Sequence, residues 1–129
     1  MRVKSGSGLV AALLLTAASG LAHHSFVMFD TSKQITLTGS VTSFEWTNPH
    51  VYIEIDVPDE TGATKHWSIE LGSPSILRSG GWTHKTLAAG QKVTLIINPL
   101  KNGNPGGLLV QANLPDNRKL GNGPGREAR

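Results

Sequence analysis

Cysteine is absent from all 129 residues, which excludes disulfide bridges, thiol nucleophiles and thiolate metal sites together. Stability must then come from a packed core alone. Charged residues make up only 16% and aromatic residues 5%, so neither a charge-driven surface nor a stacking platform dominates the chain. Familiar catalytic signatures are missing too. The sequence has no Gly-x-Ser-x-Gly elbow, no phosphate-cradling glycine loop and no His-Glu-x-x-His pair. It also lacks an apolar run long enough to cross a bilayer. The longest, Leu9 to Ala18 (LVAALLLTAA), is about ten residues, half of what a spanning helix needs.

That run has a different reading. Arg2 and Lys4 precede it and the small residues Gly20 and Ala22 follow, the order of an export signal. We expect cleavage after Ala22, with cleavage after Gly20 as the second choice. The mature protein would then be periplasmic or secreted and free of any transmembrane segment. Removing residues 1–22 leaves 107 residues with 10 Lys+Arg against 9 Asp+Glu, so the formal charge of +3 nearly vanishes. Nothing in that balance supports a nucleic-acid or anionic-membrane partner. A chain of this length fits one domain that buries about two-thirds of its unfolded surface.

The mature part reads as strands. Lys33 to Trp46 is rich in Thr, Val and Ile, with Ile35, Leu37 and Val41 on one parity and Phe44 and Trp46 on the other. A one-residue slip of this kind is a β-bulge, which Gly39 or Ser43 could host. His50 to Val57 alternates strictly, as does Thr64 to Leu71 after the loop Pro58–Gly62. Pairing Val57 with Ala63 sets His50 opposite Glu70 and Glu54 opposite His66. A short helix is predicted from Ser73 (N-cap) and Pro74 to Gly80-Gly81, with Ile76 and Leu77 as its apolar contacts. Strands over Gln91–Asn98 and Leu108–Leu114 follow, separated by the turn-rich loop Pro99–Gly107. Three strands, a helix, then two strands is the order of an OB-like five-stranded Greek-key barrel; a small β-sandwich is the alternative. The expected organisation is a signal peptide over 1–22, a single barrel domain over 23–115 and a disordered tail over 116–129.

The five histidines are the unusual chemical resource. After cleavage at Ala22, His23 would offer its α-amine and ring nitrogen together. His24 and His50 could supply further imidazole for copper or zinc. Glu70 and Asn48 are candidates to hold the His50 ring. Met28 is a possible soft ligand, although its simpler reading is packing on the barrel. His66 with Glu54 reads as a cross-strand polar pair, His84 as a solvated turn residue, and Trp46, Trp67 and Trp82 as core and lid aromatics.

The elements AHHSFVMFD, LTGSVTSFEWTNPHVYIEIDV, WSIELGSPSILRSGGW and LAAGQKVTLIINPLKNGNPGG resemble a family of small exported bacterial proteins classified only as a domain of unknown function. The resemblance spans residues 22 to 116. It implies export and one compact β domain, and carries no activity, substrate or ligand residue. Three functional expectations follow. The first is a non-enzymatic exported binding protein holding copper or zinc at His23, His24 and His50. The second is an interaction module that binds an envelope protein or glycan through the outer face of strands two and three or the loop Lys101–Gly107. The third is a mononuclear copper enzyme using the same histidines.

Overall fold

In the computed structural model, residues 27–124 are described. They form β1 (Ile35–Glu45), β2 (Tyr52–Pro58), β3 (Thr64–Glu70), the six-residue helix α1 (Pro74–Ser79), β4 (Lys92–Pro99), β5 (Gly106–Asn113) and β6 (Lys119–Gly121). β1 pairs antiparallel with both β2 and β4, β2 with β3, and β4 with β5. A parallel pairing of β3 with β5, Ser68 opposite Gly106 and Glu70 opposite Leu108, closes the barrel. This connectivity, with the helix between β3 and β4, is that of an OB-fold. The expected architecture therefore stands, and the β-sandwich alternative does not.

β1 serves two neighbours because it bends. Its first half lies along β4 and its second along β2, with Ser40 paired to both. Gly39 sits at that pivot, where an added Cβ would stand 2.3 Å from the carbonyl oxygen of Asp56. Only glycine permits so close an approach of two backbones. The parity switch comes just after, between Val41 and Ser43, where the register shifts. The bulge thus leaves Thr42 unpaired and turns Phe44 toward the same interior as Leu37 and Val41.

That interior is filled by Val41, Ile53, Ile55, Ile69, Leu95, Ile97 and Leu109, each at most 2% exposed. α1 plugs one end. Ser73 Oγ accepts from the Ile76 N–H at 3.3 Å, Pro74 occupies the first turn, and Leu77 is fully buried. Ile76, expected to pack with Leu77, is instead 47% exposed, since adjacent helical residues point about 100° apart and only one can face the barrel.

Two expectations need correction. The β2–β3 register is two positions away from the predicted one: Tyr52, not His50, lies opposite Glu70, and Asp56 lies opposite His66. Pro58 still pairs, and the turn runs over Asp59–Ala63, where Asp59 Oδ1 accepts from the N–H groups of Thr61 (2.8 Å) and Ala63 (3.1 Å). A shift of two keeps every side chain on its face. The stretch after Asp116, expected to be disordered, supplies β6, paired with β5 through Gln111, Ala112 and Asn113. It is held because Trp82, 1% exposed, donates its indole N–H to the Gly121 carbonyl at 2.9 Å.

Candidate functional site

Alternation along β2 and β3 turns Tyr52, Glu54, Asp56, His66, Ser68 and Glu70 outward on one continuous face. Two polar groupings form there. Glu54 accepts from His66 (2.8 Å) and from the Ser68 hydroxyl (2.6 Å), while the other nitrogen of His66 meets Asp56 at 2.9 Å. Hydrogen bonds first to Asp56 and then to Glu54 push the His66 pKa above its ordinary value of 6.5. At the other end His50 Nδ1 hydrogen-bonds Glu70 Oε1. The His50 side chain is 32% exposed and that of Glu70 only 12%.

His50 is placed by the β1–β2 turn. Thr47 Oγ1 donates to the His50 carbonyl at 2.8 Å, the Asn48–Pro49 peptide is cis, and Val51 pairs with Leu71 and Gly72 beyond the end of β3. Glu70 lies between two cavities. One, of about 130 Å³, is lined by His50, Ile76, Leu71, Leu108 and Asn122. The other, of about 160 Å³, has Tyr52, Ser68 and Glu70 on one side and Met28, Phe29, Leu100 and Pro105 on the other, with Gly106 and Gly107 between. A Cβ on Gly107 would stand 2.6 Å from the Asn98 carbonyl, so glycine allows β5 to run this close to β4. Burial, and then the charges of Glu70, Glu45 and Glu54, push the Tyr52 phenol above its usual 10.0. The potential at this end of the face is therefore negative.

The segment before β1 forms a wall of the second cavity. Phe29, 4% exposed, bridges Leu100, Asp30 N–H donates to the Pro99 carbonyl at 2.8 Å, and Lys101 N–H donates to the Met28 carbonyl at 2.9 Å.

The sequence model of DUF6152, a family of unknown function, matches residues 11–111. The chain belongs to that family. No curated protein matches it. Among solved structures, the mitochondrial single-stranded DNA-binding protein Rim1 of S. cerevisiae is similar, at 12% identity and a TM-score of 0.48, over 67% of this chain and 97% of that one.

Of the candidate residues in this DUF6152 chain, His50 and Glu70 come together as a hydrogen-bonded pair. They meet diagonally across the strands, because the register differs from the expected one by two. Asn48 is exposed and hydrogen-bonds neither of them among the described residues. His23 and His24 lie outside the described residues. Within those residues no three His, Asp or Glu side chains converge as a metal site would require. Met28 is 51% exposed at the cavity rim rather than packed in the core. Tyr52 and Ser68 lie on the outer face of strands two and three and Pro105 in the loop Lys101–Gly107, within the surface expected of an interaction module, whereas Leu100 was passed over. Tyr52 carried a usable signal, since it is the sole aromatic on the polar parity of its strand. Leu100 carried none, because only barrel closure brings it to β3.

Proposed function

We propose that this chain is an exported, non-enzymatic binding protein that holds copper or zinc between its mature N-terminus and the Asn48-Pro49-His50 turn. The observation that carries the reading is the His50–Glu70 pair. A carboxylate that accepts from Nδ1–H fixes the tautomer and leaves Nε2 with a free lone pair, the arrangement by which a protein orients a ligating imidazole. Remaining donors come from the N-terminal side. Met28 lines a cavity with Glu70, and His24 lies four residues before Met28, a span of about 14 Å at full extension. In a chain without cysteine, imidazole and the α-amine are the strongest transition-metal donors on offer. The leader-like residues 1–22 support export to the periplasm or beyond.

The test is titration of Cu(II) and Zn(II) into mature protein purified from the periplasm, with its N-terminus read by intact mass. His50→Ala should weaken binding by more than the roughly tenfold expected of Glu70→Gln, which removes only an orienting partner. Unchanged affinity in His50→Ala, or a mature chain that starts elsewhere than His23, overturns the reading.

A second reading is favoured by a separate observation. The larger cavity lies against the outer face of β2 and β3, the surface with which barrels of this topology bind their ligands. There the protein would act as a non-metal interaction module for an envelope protein or glycan. Glu45, Glu54, Asp56 and Glu70 stand on that face, and their charge opposes a polyphosphate backbone. Nucleic acid is therefore not the proposed partner.

A further inference from the structure

We propose that the cavity between Tyr52, Ser68 and Glu70 on one side and Met28, Phe29 and Leu100 on the other binds the end of a primary alkylammonium chain. This inference is independent of the metal reading, although both use Glu70. Its first support is size. The volume of about 160 Å³ is close to that of an apolar protein cavity that admits a benzene molecule, about 150 Å³. It suits a short alkyl chain.

The second support is the chemistry of the walls. Phe29, Leu100, Met28, Pro105 and the two glycines present apolar surface, which a bare metal ion cannot use but methylene groups can. The polar side carries one carboxylate that is 88% removed from solvent, judged from its 12% exposure. Glu70 Oε1 is matched by His50, while Oε2 accepts no hydrogen bond among the described residues. A carboxylate oxygen this far from bulk water gains most from a cationic donor. Lys101, in the adjoining loop, is exposed and makes no ion pair among the described residues, so it does not neutralise the site. An –NH3+ head on an alkyl tail supplies both complements: charge for Glu70 and methylenes for the opposite wall. A divalent ion would need further ligands that this cavity does not hold.

The experiment is an amide-resolved NMR titration with n-butylammonium chloride, with the uncharged n-butanol as the comparison. Nα-acetyl-lysine methylamide is titrated in parallel, because the same group can come from a free amine or from a lysine side chain. Binding should shift the Gly106 and Gly107 amides and saturate for n-butylammonium and not for n-butanol. Saturation by both amines assigns the site to the ammonium end itself, and saturation by one identifies the source. Glu70→Gln should weaken binding about tenfold or more, the loss expected when a charge-assisted bond becomes neutral. Ser68→Leu, which fills the cavity from an exposed position, should abolish binding in a protein that still folds. His50→Ala, which removes the proposed metal ligand, should leave saturable amine binding in place. Failure of that variant to bind metal while it still binds amine separates the two proposals. No saturable shift with either amine, or equal binding of n-butanol, overturns this one.

Discussion

His66 holds two carboxylates at once, and the consequence is a titration that can be read directly. Its bonds to Asp56 and Glu54 raise its folded pKa above 6.5. The group then binds a proton more tightly folded than unfolded, so its contribution to stability is complete below the unfolded pKa and is lost as pH rises through the folded one. The His66 ring signals should titrate above 6.5 in NMR, and Asp56→Asn should move the midpoint down. The urea midpoint of His66→Gln should fall short of wild type at about pH 5.5 and converge with it at about pH 8.5. Because the side chain is 55% exposed, solvent screens the pair and the difference should be small. Alternation of β2 and β3 put all three residues on one face, but only Glu54 was expected as a partner of His66; Asp56 came opposite it through the two-residue change of register. The shared face survived a wrong register because the error was an even number of residues.

At the scale of elements, α1 separates cap, plug and exposed position within six residues. Leu77→Ala should cost about 2–5 kcal/mol in chemical unfolding, as for a leucine fully enclosed by core. Ser73→Ala should cost about 1 kcal/mol through the lost cap. Ile76→Ser should stay within about 0.5 kcal/mol, because its side chain is half exposed. Equal losses at positions 76 and 77 would contradict the orientation described for the helix. The start and stop of this element were legible, since Ser-Pro and Gly-Gly act through local backbone chemistry. Which of Ile76 and Leu77 faces inward depends on where the barrel end lies, and two apolar neighbours in a short helix do not encode that.

For the whole molecule, two places tie distant segments together. Gly39→Ala would drive a methyl group into the Asp56 backbone at the pivot of β1, and should destabilise by about 3 kcal/mol or more, or prevent folding. Removal of residues 117–129 deletes β6 and the carbonyl that accepts the Trp82 indole N–H. A buried donor left unpaired costs about 1–3 kcal/mol, so the truncated chain should unfold at lower urea than the full one. A tail without structural role would leave the midpoint unchanged.

Alternation, turn residues and the slip at Val41–Ser43 are local properties, and from them the sequence by itself determined five strands, one capped helix, their order and the outward face that bears Tyr52, Glu54, Asp56, His66, Ser68 and Glu70. Barrel order follows because each apolar face has to be covered by another. Tertiary structure alone decided the rest. The parallel closure of β3 on β5 brings Leu100 and Pro105 to Glu70 from thirty or more residues away along the chain. Lys119–Gly121, too short to show a periodicity, became a strand because Trp82, the edge of β5 and the core surface under Leu120 offered it partners. A cavity is the space left between segments that pack for other reasons, and no local pattern specifies it.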